Sequence, residues 1–379
     1  MNLRFRGLAV LLAVAGCAAA QDRGAGVQTA FARAQHLKRG INTSGWFAQN
    51  HGDYSARHTD IETTPDDIAA IARLGFDNVR LSIDAAPLEQ ALSPWGANSS
   101  DFLVRLDKAV DEILAAGLAV TIDLHPEESY NQALRADNGA VERFVMLWRK
   151  LAAHYADRDP DRVFFEILNE PEVNDPYRWA GIQARAAAAI RAEAPHHTII
   201  AAGSNWSDIV DLLALQPLAD GNVIYNFHFY DPHEFTHQGA GWGTPWWIYE
   251  HGIPYPPPED SMAGLLKELP DPATRFQLEK YWLDHWDGHR IRLLIDEAAQ
   301  WGAANGVPLI CNEFGVYRPY ADPVSRSNWI RDVRTALEAD SIGWAMWDYH
   351  GNFGVAVKDR DGKSIADPQT VEALGLKGR

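Results

Sequence analysis

Cysteine is scarce in this sequence, and its scarcity excludes a fold held together by disulfides. Cys17 and Cys311 are the only two among 379 residues, and Cys17 lies where a leader peptide would be cleaved. Cys311 follows the apolar run Val307–Ile310, so we expect a small buried side chain there. Stability must then come from a large hydrophobic core, and a hydrophobic content of 46% allows one.

Positive charge is also in short supply. The chain has 34 Lys and Arg residues against 51 Asp and Glu, which gives a formal charge of −17. Cleavage after residue 16 would remove Arg4 and Arg6 but no acidic residue, and would lower the charge by two, to −19. Because such a surface repels phosphate backbones and anionic lipids, we expect no nucleic-acid partner.

The apolar run near the N-terminus, Gly7–Gly16, is too short to cross a bilayer. It follows two arginines, which predicts that residues 1–16 are a signal peptide. Val14-Ala15-Gly16-Cys17 resembles a bacterial lipobox, in which Cys17 would be lipidated; Ala18-Ala19-Ala20 offers an ordinary cleavage site instead. We predict an exported protein, periplasmic, outer-membrane or extracellular, with residues 17–36 as a tether and membrane attachment only through a lipid on Cys17.

Apolar runs typical of strands recur along the rest of the chain. They read as continuous rather than alternating, as expected of parallel strands covered by helices on one side and by a packed interior on the other. The eight candidates are Gly40–Ser44, Phe76–Ile83, Leu118–Leu124, Val163–Asn169, Thr198–Ala202, Val223–His228, Pro308–Glu313 and Gly343–Asp348.

Segments of helical period lie between these runs. Thr64–Ile68 combines a Thr cap, a proline in the first turn and two acids that face the helix macrodipole. Eight strand–helix units predict an α/β fold, a (β/α)₈ TIM barrel over residues 37–379, rather than a doubly wound sheet. The other predicted helices run over about 102–116, 141–156, 177–193, 291–305 and 326–338.

One interval between a strand and the next helix is unusually long. The sixth strand ends near Tyr230, and the next clear helical pattern starts about sixty residues later, whereas βα loops usually have about 2–6 residues. The segment 231–289 is rich in Trp, Tyr, Pro and His. We predict an enlarged loop or subdomain on the active-site face; a structural cap without substrate contact is the alternative.

Polar residues interrupt or end the predicted strands near their C-terminal ends, where barrel enzymes place their reactive groups. Such residues are costly in a buried strand unless they are hydrogen-bonded or used. Two glutamates from different strands could supply the acid and the carboxylate that glycosidic hydrolysis requires. The strand-end residues are Arg80, His125, Asn169, Glu170, His228, Tyr230, Asn312, Glu313 and Trp347.

A metal site or a structural ion pair could also use two strand-end glutamates. No His/Glu spacing resembles a common metal motif, and the series His228, His233, His237 is the nearest. An ion pair would not explain the other polar residues at the strand ends. We therefore predict no metal and no cofactor.

These residues resemble glycoside hydrolase family 5, the cellulase family, over about residues 38–375. Phe165–Pro171, with the sequence FEILNEP, resembles the acid/base strand of the family, and Ile310–Gly315, with the sequence ICNEFG, resembles its nucleophile strand. Tyr225–Pro232 followed by Phe235–Gln238 resembles clostridial endoglucanases that carry a long insertion at the same loop. The six other positions of the family's active-site set are matched by Arg80, His125, Asn169, His228, Tyr230 and Trp347.

The resemblance implies a retaining double displacement, with Glu313 as nucleophile and Glu170 as acid and then base. Arg80 and Tyr230 are expected to donate hydrogen bonds to Glu313, and His228 to orient Glu170.

The resemblance also implies sugar-binding roles around the two glutamates. Asn169 and His125 would bind hydroxyls of the reacting sugar, and Trp347 would stack beneath it. Trp46 and Trp206 follow the first and fifth strands and are candidate subsite residues, with core or lid packing as the alternative for each. Glu166 is expected to point out of the barrel.

The implied function is endo-acting hydrolysis of β-1,4-glucan (cellulose) or mixed-linkage β-glucan by a monomer. A mannanase, or an exo-β-1,3-glucanase or β-glucosidase, is the enzymatic alternative, since loops outside the shared set choose the substrate. A long sixth loop that closed one end of the groove would favour exo action. A surface lipoprotein that binds glucan without cleaving it is the non-enzymatic alternative; a changed catalytic position would favour it, and none is changed.

Overall fold

Eight parallel strands close into a barrel in the computed structural model, which describes residues 23–93, 99–269 and 271–377. Each strand pairs with its neighbour in sequence, and β8 pairs with β1. The predicted (β/α)₈ barrel is thus confirmed. The strands are β1 (Arg39–Thr43), β2 (Asn78–Ile83), β3 (Ala119–Leu124), β4 (Val163–Glu166), β5 (Thr198–Ala202), β6 (Val223–Phe229), β7 (Leu309–Phe314) and β8 (Gly343–Met346), with a small antiparallel pair, β9 (Ala356–Lys358) and β10 (Ser364–Ala366).

Helices surround the barrel, and those predicted from periodicity are all present, with ends that differ by a few residues. They are α1 (23–34), α2 (Ser44–Phe47), α3 (Ala56–Glu62), α4 (Pro65–Leu74), α5 (Ala85–Ala91), α6 (Ser99–Ala115), α7 (Glu128–Ala136), α8 (Asn138–Tyr155), α9 (Pro176–Glu193), α10 (Ile209–Ala214), α11 (His233–Thr236), α12 (Ala263–Glu268), α13 (Pro272–Leu283), α14 (Gly288–Asn305), α15 (Pro323–Ala339) and α16 (Pro368–Ala373).

Helix α4 shows how local sequence sets these elements. The Thr64 side chain accepts from the Asp67 backbone N–H, and the Asp67 carboxylate accepts from the Thr64 backbone N–H, which completes a capping box. The helix ends at Gly75, whose φ of 100° lies in the left-handed region that favours glycine. Ile68 and Ile71 on one face are buried in the core between helices and barrel.

Helix α1 corrects part of the predicted tether. Its residue Ala30 is fully buried in a cluster with Leu37 and inward-facing side chains of the strands, among them Phe164 and Ile200. Arg33 donates to the Asp161 carboxylate at 2.8 Å and to the Thr198 hydroxyl at 3.2 Å. The segment 23–34 therefore closes the N-terminal end of the barrel, because that end exposes apolar side chains that need a cover.

The predicted signal peptide and the predicted lipid attachment at Cys17 fall within residues 1–22, outside the described part of the chain. Within 23–93, 99–269 and 271–377, no helix combines the length and the apolar character that crossing a bilayer requires.

A polar layer lies above this apolar floor, inside the barrel. The sequence predicted continuous apolar strands, whereas the structure shows that they carry polar side chains on their inward face. Arg80 on β2 donates two hydrogen bonds to Glu166 on β4, from Nε at 2.7 Å and from Nη2 at 2.8 Å. Asn226 on β6 and Asn312 on β7 also donate to Glu166, at 2.8 and 2.7 Å.

Glu166 itself is a second correction, since it points into the barrel and is only 1% exposed. Alternate residues of a strand share a face, and Phe164, two positions earlier, packs in the apolar floor. Burial raises the pKa of Glu166, while the Arg80 cation acts to lower it. Glu166 thus holds Arg80 in place from below.

The long segment between β6 and α14 folds against the barrel rather than extending from it. It contains α11, a 3₁₀ turn over Trp247–Tyr249, α12 and α13. Tyr255 donates to Asp332 of α15 at 2.9 Å. The Tyr317 backbone N–H, after β7, donates to the Thr236 carbonyl at 2.8 Å. These contacts fix the segment beside the C-terminal ends of β6, β7 and β8.

We expect Ala30→Asp to lower the free energy of unfolding by about 2–4 kcal/mol, because it buries a carboxylate in an apolar cluster. Ala32→Asp, on the exposed face of the same helix, should change it by less than about 0.5 kcal/mol. Denaturant titration measures both. Equal effects would show that α1 does not cover the barrel.

We expect Glu166→Gln to lower the free energy of unfolding by about 3 kcal/mol, because it removes one partner of a buried ion pair. Glu172→Gln is the matched control: the Glu172 carboxylate lies 3.5 Å from Arg135 in a partly exposed pair, which should contribute about 0–1 kcal/mol. Thermal and denaturant unfolding compare the two variants, and equal stability would contradict the bracing role of Glu166.

Candidate active site

The two strand-end glutamates face each other across the C-terminal mouth of the barrel. One oxygen of Glu170, one of Glu313 and a ring nitrogen of His228 all lie within 4.8 Å of one another. Carboxyl groups about 5–5.5 Å apart suit a retaining glycosidase, whereas inverting enzymes keep them about 6.5–9.5 Å apart to admit a water. The spacing here matches the retaining class.

Local backbone irregularities aim both glutamates. The pairing register of β7 shifts between Cys311 and Phe314, and such irregularities re-aim side chains. The successive residues Asn312 and Glu313 therefore both reach the interior, where Asn312 bonds Glu166 and Glu313 bonds Arg80. Glu170 has a φ of 39°, a left-handed conformation that costs a non-glycine residue about 1 kcal/mol or more.

Glu313 receives two hydrogen bonds that favour its ionised form. Arg80 Nη1 donates to it at 2.5 Å and the Tyr230 hydroxyl at 3.0 Å, as expected from the sequence. Burial opposes the charge of Arg80, but Asp123, Glu166 and Glu313 outweigh it and raise the pKa of Arg80. Burial and the Glu313 charge raise the pKa of Tyr230, so it stays protonated and donates.

Glu170 lies in a different environment, beside a neutral imidazole. His228 Nδ1 is 2.9 Å from its carboxyl, and burial lowers the pKa of His228 to about 4. Burial also raises the pKa of Glu170, although 31% of its side chain faces the open cleft. A neutral imidazole can accept a hydrogen bond from a carboxylic acid or donate one to a carboxylate. The pair therefore suits a residue that changes protonation state.

Three further predicted residues form the floor around the two glutamates. Asn169 accepts from Arg80 Nη2 at 2.9 Å, and its amide nitrogen lies 3.2 Å from His125 Nε2. The rings of His125 and Trp347 stack at 5.5 Å with an interplanar angle of 16°. Asn169 is 6%, His125 7% and Trp347 9% exposed, and His125 and Trp347 line the cleft.

The two softer aromatic candidates lie in different surroundings. Trp206 is 60% exposed and lines the cleft. Trp46 is 3% exposed, packs in the main core and donates its indole N–H to the Thr59 carbonyl at 2.8 Å. The assignment of Trp46 as a subsite residue is therefore wrong, because α2 turns its side chain under the loop.

The insertion after β6 supplies a cluster of rings to one wall of the cleft. His237 stacks on Trp247 at 4.6 Å, and His233 lies parallel to Trp247 at 5.6 Å with an interplanar angle of 1°. Trp242 packs edge-on against Tyr317 at 4.9 Å. Sequence composition indicated an aromatic insertion but could not say which rings meet.

Ser44, Gln49 and Asp348 also line the cleft, and sequence reasoning missed them. Gln49 Nε2 lies 3.0 Å from His125 Nε2. Asp348 directly follows Trp347, so the rule that found the other strand-end residues could have found it.

Glu170, His228 and Glu313 are also close enough together to hold a cation. A cation there would compete with the Arg80 guanidinium, which already lies 2.5 Å from Glu313. The donor set is therefore better suited to acid–base chemistry than to metal binding.

Known proteins resemble this chain in sequence and in fold. Residues 36–353 match the family model described as cellulase, glycosyl hydrolase family 5. The chain is 31% identical over 319 residues to Endoglucanase C of Acetivibrio thermocellus, over 83% of this chain and 91% of that protein. It is 30% identical over 363 residues to Endoglucanase 3 of Fibrobacter succinogenes, over 90% of this chain but 53% of that protein, so it spans about half the length of that relative.

Solved structures agree with the sequence relatives. Thermotoga maritima Cel5A in complex with cellobiose matches with a TM-score of 0.72 and 27% identity, over 91% of this chain and 99% of that one. The same protein in complex with mannotriose matches with a TM-score of 0.73 and 26% identity, with the same coverage. With a family model that spans most of the barrel and relatives of this similarity, the chain belongs to the cellulase family, glycosyl hydrolase family 5, and is a glycosidase.

Proposed function

We propose that this protein cleaves β-1,4-glucan or mixed-linkage β-glucan within the chain, with net retention at the anomeric carbon. The observation that carries this proposal is the pair of glutamates, with oxygens within 4.8 Å of each other at the barrel mouth. That spacing leaves no room for a water between the carboxyl groups and the sugar, so one carboxylate must attack directly.

The first step uses the two glutamates in different protonation states. Glu313, held by Arg80 and Tyr230, attacks the anomeric carbon while Glu170 donates its proton to the departing oxygen. The bond to the leaving group breaks as the ester bond to Glu313 forms. The raised pKa of Glu170, caused by burial, keeps the proton available toward neutral pH.

The second step reverses the proton transfer. The ester has removed the negative charge of Glu313, and the loss of that repulsion lowers the pKa of Glu170. Glu170 then takes a proton from water, and the resulting nucleophile attacks the anomeric carbon and releases Glu313. His228 serves both forms of Glu170 because its neutral ring can accept or donate.

We infer that cleavage takes place within the polymer. The insertion forms a wall beside β6 to β8. Its residue Trp247 lines the same cleft as the two glutamates, and so do Gln49 after β1 and Trp206 after β5. The names of the relatives, endoglucanases from Acetivibrio and Fibrobacter, support the same mode.

Mannan is the second candidate substrate. The Thermotoga structure in complex with mannotriose shows that a barrel with 26% identity accommodates a manno-oligosaccharide. Glucan and mannan differ in the orientation of one hydroxyl, which the loops around the cleft would have to distinguish.

A glucan-binding protein without activity would need no balanced acid–base pair. Here Arg80, Tyr230 and His228 all contact the glutamates they would tune. This complete arrangement supports hydrolysis over binding alone.

We expect Glu170→Ala to be slow on glucan but much less impaired on dinitrophenyl glycosides, because a good leaving group needs little protonation. The loss on glucan should be about 10²–10⁴-fold. In the native enzyme kcat/KM falls as pH rises through the raised pKa of Glu170, and the variant should lose this alkaline limb on the activated substrate. Equal losses on both substrates, with the limb intact, would contradict the acid role.

The proposed specificity is tested by product analysis on cellulose, mixed-linkage glucan, mannan and xylan. We expect oligosaccharides as early products and a fast fall in the viscosity of soluble β-glucan. Early release of glucose alone would overturn endo action, and faster hydrolysis of mannan would reverse the preference. Glu313→Gln is the control: it should be folded, bind glucan and show no turnover.

A further inference from the structure

Asp348 lines the active-site cleft and has a carboxyl oxygen with no partner in the described structure. The residue is 5% exposed. The Ser44 hydroxyl donates to Oδ2, while Oδ1 is buried without a hydrogen-bond partner among the described residues. Leaving a polar atom buried in this way is unfavourable, and both Ser44 and Asp348 line the cleft that contains the glutamates.

The position of Asp348 assigns it to one side of the scissile bond. Glu170, after β4, gives its proton to the leaving group, so the leaving sugars lie toward β4 and β5. Asp348 follows β8, and Ser44 follows β1, the strand paired with β8. The sugars that stay attached to Glu313 after the first step therefore extend toward Ser44 and Asp348.

Backbone hydrogen bonds hold Asp348 in place, and a glycine lies beside its carboxyl group. The Asp348 carbonyl accepts from the Val355 N–H at 2.8 Å, and the next residue, Tyr349, donates its N–H to the Asn42 carbonyl at 2.9 Å. Gly351 has a φ of 79°, and a Cβ added there would lie 3.7 Å from Oδ1. Glycine at this position therefore leaves space beside the unpaired oxygen.

The charges around Asp348 indicate which kind of partner suits it. Burial raises its pKa to about 8, with repulsion from Glu62 and Glu313 in the same direction; the Ser44 hydroxyl and Arg318 act against this. The raised pKa makes the acid form of this carboxyl available near neutral pH. Sugar hydroxyls suit such a group, because a hydroxyl can donate to the carboxylate and accept from the acid.

We propose that Asp348, held by Ser44, binds a hydroxyl of the sugars retained on Glu313 and is a specificity-determining residue of this enzyme. This proposal rests on the proposed glycosidase reaction. The interaction supplies the partner that Oδ1 lacks and would distinguish sugars by the position of a single hydroxyl.

A double-mutant cycle between protein and substrate tests the interaction. We would measure kcat/KM of the native enzyme and of Asp348→Ala on dinitrophenyl β-cellobioside and on analogues that each lack one hydroxyl. For one of these analogues, the missing hydroxyl should lower kcat/KM of the native enzyme about 10- to 100-fold and that of Asp348→Ala much less. Removing any other hydroxyl should cost both enzymes equally. Ser44→Ala should weaken the same coupling.

Controls separate this interaction from a structural role. A destabilised Asp348→Ala would be replaced by Asp348→Asn, which keeps the volume and should still reduce the coupling to that one hydroxyl. Asp361→Ala, an exposed carboxylate on the turn between β9 and β10, should behave as the native enzyme does. If each missing hydroxyl lowered kcat/KM of the native enzyme and of Asp348→Ala by the same factor, the proposal would be overturned, while the glycosidase reaction would stand. A native enzyme inactive on all these glycosides would instead contradict the proposed function and remove both.

Discussion

The buried guanidinium of Arg80 is the interaction on which the rest of the site depends. It contacts Asp123, Glu166 and Glu313, which come from β3, β4 and β7. A buried cation is costly without such partners, and each carboxylate would be costly without the cation. The planar fork of arginine suits several acceptors at fixed angles. The same buried charge network therefore both joins strands across the barrel interior and orients the nucleophile.

The barrel interior is built in layers around this charge. Helix α1 and the apolar side chains at the N-terminal end form a dry floor, the network of Arg80 and Glu166 lies above it, and the glutamates face the open cleft at the top. The layers pass from apolar to polar to solvated, so charge is placed where donors and water can stabilise it. The polar groups of the site are thus fixed before substrate arrives, which is the condition for electrostatic catalysis.

Local sequence was sufficient for the strands, for six of the helices and for the convergence of the two glutamates. Continuous apolar runs predicted all eight strands because burial of both faces leaves few polar positions in a strand. Residues such as Glu313 stood out because they interrupt or end an apolar run. The resemblance of the Asn169–Pro171 and Asn312–Gly315 segments to a known family added the division of roles. These features depend on residues that are close together in the sequence, so the sequence alone reveals them.

Only the tertiary structure decided where individual side chains point and what they meet. Glu166 faces inward because Arg80, 86 residues away in sequence, lies opposite it, and Trp46 is buried because α2 turns it toward Thr59. The segment 23–34, without a distinctive pattern, is a helix because the open end of the barrel needs a cover. The environment of Asp348 is set by Ser44, 304 residues away. Contacts over such separations follow from barrel closure and strand register, which no local pattern encodes.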